Sequence, residues 1–221
     1  MAYILGTSTD DTLFGTDYDD VMGGKAGNDT IYARKGNDEV WDTLGDNWIS
    51  GGDGDDYLVT GSGNDTIYGN NDNDTIYSGG GDDHAHGGNG NDFIRDLSGY
   101  NDISGGLGED EIHFSASSHR IYGGNYGQSG DGETDIFTLK SWHENVDLTN
   151  TGQVGDVIAD FEVGTDILNL ADLGIQASHV TIGTYSNGYM VSVDTGTNRI
   201  DIGVRTGTSG ALTMADIEVS S

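Results

Sequence analysis

From residue 6 to residue 122 an aliphatic side chain returns at every ninth position: Leu13, Met22, Ile31, Val40, Ile49, Leu58, Ile67, Ile76, Ala85, Ile94, Ile103, Ile112 and Ile121. This spacing is neither the 3.6-residue period of an amphipathic helix nor the sustained alternation of a long strand. One apolar residue inside a three-residue window predicts a very short strand that points a single side chain inward. The six residues before each window are rich in glycine and predict a tight turn using positive φ. A three-residue strand is unstable alone, so the units must stack and bury their aliphatic column as one narrow core. The expected fold class is therefore all-β, a solenoid.

The polar positions keep the same register. With Gly6 as position 1, the sixth positions of thirteen uninterrupted units are Asp11, Asp20, Asp29, Asp38, Asn47, Asp56, Asp65, Asp74, Asp83, Asp92, Asn101, Asp110 and His119. Glycine recurs at position 4 and often at positions 1 and 2, and the segments GKAGNDTIY (24–32) and TGSGNDTIY (60–68) are nearly identical. Turn chemistry favours Asp, Asn and Gly, but it does not demand Asp at a fixed phase through so many units. The acidic column is thus read as a metal ladder.

Composition sharpens that reading. The 221 residues include 38 Asp and Glu against 8 Lys and Arg, a formal net charge of −30, with 33% hydrophobic residues, 38 glycines, no proline and no cysteine. Such a chain stays unfolded unless something offsets its self-repulsion, and a cation is the simplest agent. Few, scattered basic residues exclude a nucleic-acid partner. No stretch reaches the length of a membrane span, and the opening MAYILGTSTDD lacks the basic start and long apolar run of a cleaved signal peptide.

The pattern GGxGxDxUx, with U aliphatic, resembles the nonapeptide repeat of the RTX (repeats-in-toxin) calcium-binding proteins. The resemblance implies a right-handed parallel β-roll in which two units complete a turn. One edge would then carry Asp20, Asp38, Asp56, Asp74, Asp92 and Asp110, and the other Asp11, Asp29, Asn47, Asp65, Asp83, Asn101 and His119. Rungs about 4.8 Å apart place like charges together, and calcium, with roughly 6 to 8 oxygen ligands, suits the gap better than magnesium. Adjacent Asp pairs number five on the first edge and two on the second (Asp11 with Asp29, Asp65 with Asp83), which predicts about seven strong sites, with weaker ones beside Asn47 and Asn101. His119 is expected to end its ladder.

After residue 122 the register breaks, and the organisation reads as a repeat region at 1–122 followed by last roll turns and a β-rich cap at 123–221. Alternating apolar residues at 180–204 predict a meander around turns at Asn187-Gly188 and Thr195-Gly196. The segments DIFTL, DVIADFEVGTDILNL and ALTMADIEV resemble the region after the repeats in serralysin-type peptidases and in the R-modules of alginate-modifying epimerases. That resemblance implies an uncleaved signal for type I secretion machinery and a place outside, or on the surface of, a Gram-negative bacterium. The closing DIEVSS keeps Asp216, Ile217 and Val219 of the expected acid-plus-hydrophobic ending but interposes Glu218 and adds two serines.

No catalytic constellation emerges. His143 and Glu144 in WHENVD lack the second histidine of HExxH, and no GxSxG occurs. The chain is read as noncatalytic. His84 and His86 stand two apart on one strand, a spacing open to a transition metal or to a solvated pair. Aromatic residues recur in outward positions, Phe14, Tyr32, Tyr68 and Tyr122 in one sheet with Trp48 beside them, and Trp41, Tyr57, Tyr77 and Phe93 in the other. Such rows either shield neighbouring strands or stack on an extracellular polysaccharide, the alternative function being an accessory binding module.

Overall fold

A computed structural model describes residues 1–96, 98–115, 119–124, 132–139, 157–185, 188–194, 199–206 and 210–220. The 142–147 stretch with His143 and Glu144, Asn187 and the Thr195-Gly196 turn lie outside them.

Two sheets of parallel strands stack into a β-solenoid. A ten-stranded sheet runs in order through Tyr3–Leu5, Val21–Gly23, Glu39–Leu44, Tyr57–Ser62, Thr75–Gly79, Phe93–Asp96, Glu111–Phe114, Ile136–Leu139, Ile167–Asn169 and Ile217–Glu218. Strands that alternate with these in sequence build the second sheet, from Thr12–Phe14 through Thr30–Lys35, Trp48–Asp53, Thr66–Asn71, His84–Asn89, Asp102–Leu107 and Arg120–Tyr122 to Val157–Phe161. There it joins Arg199–Thr206 in parallel, and an antiparallel meander of Val180–Tyr185, Gly188–Asp194 and Arg199–Thr206 closes that end. The expected β cap is this meander, which covers a sheet edge otherwise open to association.

Register follows from the nine-residue period. Ile31, Ile49, Ile67, Ala85, Ile103 and Ile121 pair in sequence across one sheet, and Met22, Val40, Leu58, Ile76, Ile94 and Ile112 across the other. All are buried, and they form one continuous core with Phe114, Phe137, Phe161 and Leu168. Ile112 then pairs with Phe137 and Ile121 with Ile158. The two sheets thus continue past residue 122 although the nine-residue spacing does not.

Candidate metal centre

Within the thirteen units each strand begins one residue after a position-6 side chain, so strand pairing stacks those side chains in two columns, one along each edge. Within a column, Oδ1 of each Asp or Asn after the first accepts the main-chain N–H of its counterpart one turn earlier. Along the first edge the donors Asp20, Asp38, Asp56, Asp74 and Asp92 bond to Asp38, Asp56, Asp74, Asp92 and Asp110 at 2.7 to 2.9 Å. Along the second, Asp11, Asp29, Asn47, Asp65 and Asp83 bond to Asp29, Asn47, Asp65, Asp83 and Asn101 at 2.7 to 3.0 Å. The structure therefore assembles all ten sequence-predicted aspartates, Asp11 to Asp110, into these two ladders.

The second carboxylate oxygen behaves differently. Oδ2 of Asp29, Asp38, Asp56, Asp65, Asp74, Asp83 and Asp92 is buried and has no hydrogen-bond partner. A buried anionic oxygen without a partner is costly, so a proton or a cation must answer it. Burial raises the Asp74 carboxyl to about 9 and those of Asp38, Asp56, Asp83 and Asp92 to about 7, and it raises Asp65 as well. Neighbouring ladder charges add to the shift at Asp74, while the main-chain N–H bonds oppose it.

Glycine at position 1 keeps the space in front of Oδ2 open. A Cβ on Gly87 would collide with Oδ2 of Asp92 and stand 2.5 Å from the carbonyl oxygen of Gly105. At Gly69 it would collide with Oδ2 of Asp74 and stand 2.6 Å from the carbonyl oxygen of Gly87. Each is an oxygen-lined recess that a side chain would fill. Among the described residues no three His, Cys, Asp or Glu side chains converge. A cation here takes at most two carboxylates and must complete its shell from main-chain carbonyls. That donor set is oxygen-only and carbonyl-rich, which fits calcium and not zinc.

The ends of the ladders depart from this scheme. Thr16 gives its main-chain N–H and its hydroxyl to Oδ2 of Asp20, at 2.7 and 2.8 Å, and Thr7 does the same for Asp11, at 2.5 and 2.9 Å. The first rung on each edge is thus capped by threonine. At the other end of the second ladder His119 is buried, which pushes its imidazole down to about 4 and keeps it neutral; it contacts the Asn101 amide at 3.1 Å and the Phe114 ring.

Two sets of residues escaped sequence reasoning. The first ladder continues past the insertion: Asp110 donates to Asp135 at 3.0 Å, Asp135 to Asp166 at 3.2 Å, and Gly164 to Asp216 at 2.8 Å. The nine-residue count could not reach them because the offset between rungs lengthens from 18 to 25 and then 31. The cue was an Asp directly before an aliphatic-rich strand, as in DIFTL and DILNL. The second set lies at position 5, where Asp10, Asn28, Asp46, Asn64 and Asp82 make an exposed outer ladder on one edge, and Asp19, Asn37, Asp55, Asn73 and Asn91 on the other.

The outward aromatics contact one another. Phe14 stacks on Tyr32 at 5.2 Å between ring centroids, Tyr32 meets Trp48 at 4.8 Å, and Trp48 meets Tyr68 at 5.9 Å. Trp41, Tyr57, Tyr77 and Phe93 form the row on the other sheet. His84 and His86 both lie edge-on to Tyr68.

No characterised protein matches the chain at a significant level. The family model of the RTX calcium-binding nonapeptide repeat matches in four copies, at residues 5–40, 34–67, 50–85 and 86–116, just over half of the chain. The repeats, the parallel solenoid and the oxygen-lined recesses agree with that match, and the chain belongs to the RTX calcium-binding nonapeptide repeat family.

Proposed function

We propose that Asp29, Asp38, Asp56, Asp65, Asp74, Asp83, Asp92 and Asp110 bind calcium ions between successive turns, with Asp11 and Asp20 in the threonine-capped first rungs. The chain as a whole acts as a noncatalytic module that folds when it meets calcium outside the cell. The observation that carries this reading is the row of buried Oδ2 atoms without partners, with the space in front of those of Asp29, Asp56, Asp74 and Asp92 kept open by glycine at position 1. Calcium sites of the extracellular class, with dissociation constants of about 10⁻⁴ to 10⁻³ M, stay empty in the cytosol, so the chain would remain unfolded until it leaves. Passage through type I secretion machinery of a Gram-negative bacterium suits such a chain, and the folded roll then lends stability or surface attachment. Isothermal titration with calcium and, separately, magnesium tests this reading. Saturable uptake of several calcium ions with weak magnesium heat is expected; no saturable calcium uptake would refute it.

A second reading, binding to an extracellular polysaccharide, draws on Phe14, Tyr32 and Trp41, whose rings are exposed on the outer faces. Titration of the calcium-saturated protein with alginate, against a neutral glycan, would give uronate-selective heat on this reading and none without it.

A further inference from the structure

Asparagine replaces aspartate at position 6 in two units, at Asn47 and Asn101. In both units, and in no other of the thirteen, position 1 carries an aspartate, Asp42 and Asp96. Elsewhere that position holds Gly, Ala, Thr, Ser or Phe. The carboxylate has been moved within the unit, not lost.

Both relocated acids are 0% exposed. Neither carboxylate oxygen of Asp42 has a hydrogen-bond partner. The side chain points at the ladder aspartate one turn earlier: a Cβ on Gly24 would collide with Oδ2 of Asp29 and Oδ2 of Asp42 alike. Two carboxylates that face each other across a glycine, neither oxygen receiving a donor, require a proton or a cation between them. Asp96 stands in the same sequence relation one turn after Asp83, with Ser78 in place of the glycine, and the two charges oppose each other. Its oxygens accept from the Ser78 hydroxyl at 2.6 Å and the Ser98 N–H at 3.3 Å. The sequence interval from ladder Asp to relocated Asp is the same in both pairs.

The asparagines explain why the charge moved. Oδ1 of Asn47 keeps the ladder bond from Asp29 at 3.0 Å, and its amide nitrogen donates at 3.3 Å to the carbonyl of Asp42. Asn101 keeps the bond from Asp83 and donates to the carbonyl of Ser98 at 2.8 Å. Each amide therefore presents a donor where its neighbours present Oδ2, and a donor repels a cation. Burial also raises Asp42 to about 7 and Asp96 to about 8, with Asp29 and Asp83 contributing respectively.

We infer that Asp42 and Asp96 are calcium ligands, each completing a two-carboxylate site with the ladder aspartate one turn before it, Asp29 and Asp83. The inference rests on the calcium reading above, and it changes the sites predicted on this edge. The rungs at Asn47 and Asn101 give up their own ion, and the rungs at Asp29 and Asp83 gain a second carboxylate.

Native mass spectrometry of the full chain, counting calcium ions across a calcium titration, separates the outcomes. Asp42→Asn and Asp96→Asn should each remove one ion or raise the midpoint of one site at least tenfold, and together they should affect two. Because Asp29 and Asp42 share a site, the Asp29→Asn/Asp42→Asn double should lose no more ions than either single. Asp42→Gly and Asp96→Gly, which install the residue found at this position in other units, repeat the test if an asparagine variant does not fold. Unchanged ion count and midpoint in these variants overturns the inference and leaves the calcium reading intact. A wild-type chain that takes up no calcium overturns the calcium reading itself.

Discussion

The main-chain N–H of Asp74 donates to Oδ1 of Asp92 at 2.7 Å, one full turn further along, while Oδ2 of both residues is buried without a partner. One oxygen thus holds the turns together and the other is left for a ligand. This division of labour makes the two roles separable by mutation.

Asp74→Asn keeps an Oδ1 to accept from Asp56 but removes the charge. The variant should need more calcium to fold, with a midpoint higher on the order of tenfold. Its calcium-free form should be less destabilised than the wild type, because one buried anion is gone. Circular dichroism of both proteins across a calcium titration checks the two signs; equal midpoints would separate Asp74 from the metal.

Acidity should substitute for calcium. In the metal-free fold burial lifts Asp38, Asp56, Asp83 and Asp92 from 3.8 to about 7, and Asp74 to about 9. A carboxyl whose folded pKa is raised favours folding fully below its unfolded value, near pH 4, and that contribution is lost as pH climbs through 7 to 9. In chelator, β-structure should therefore appear on acidification and be largely lost by neutral pH. In calcium the dependence inverts, since the ion displaces those protons and binds more tightly as pH rises through the same window. A calcium-free protein that gains β-structure with rising pH would contradict the assignment.

Gly87→Ala should abolish the recess it guards. The new methyl meets Oδ2 of Asp92, a side chain held by its ladder bond from Asp74, and the main-chain carbonyl of Gly105. The backbone of Gly87 is outside the positive-φ set, so the cost comes from lost space. One fewer calcium ion and a lower melting temperature in calcium are expected from ion counting and thermal scans.

The outer ladder alternates acid and amide through Asp10, Asn28, Asp46, Asn64 and Asp82, every member supplying the same Oδ1 acceptor. Asn64→Asp would place three exposed carboxylates on successive rungs at no loss of hydrogen bonds. It should destabilise the calcium-loaded roll by about 1 kcal/mol at low salt, and 1 M salt should erase most of the difference. Thermal melts at two ionic strengths test this.

The stacked sheets, the core column and the phase of both inner ladders were legible in the sequence because they share one nine-residue period. Asp135, Asp166 and Asp216 were not, since inserted residues change the spacing in sequence while strand pairing preserves the stack. Nor were the threonine caps at Thr7 and Thr16, because position 2 varies too freely to suggest a role. Asp42 and Asp96 were visible as letters, yet only burial and the direction of their side chains relate them to Asp29 and Asp83.

The most direct measurement is the far-UV circular dichroism spectrum of the chain at neutral pH after exhaustive chelation, followed by return of millimolar calcium. A largely unfolded spectrum that converts to β-structure with calcium, and not with equal magnesium, is expected. A β-rich spectrum that persists after chelation and ignores calcium would contradict it.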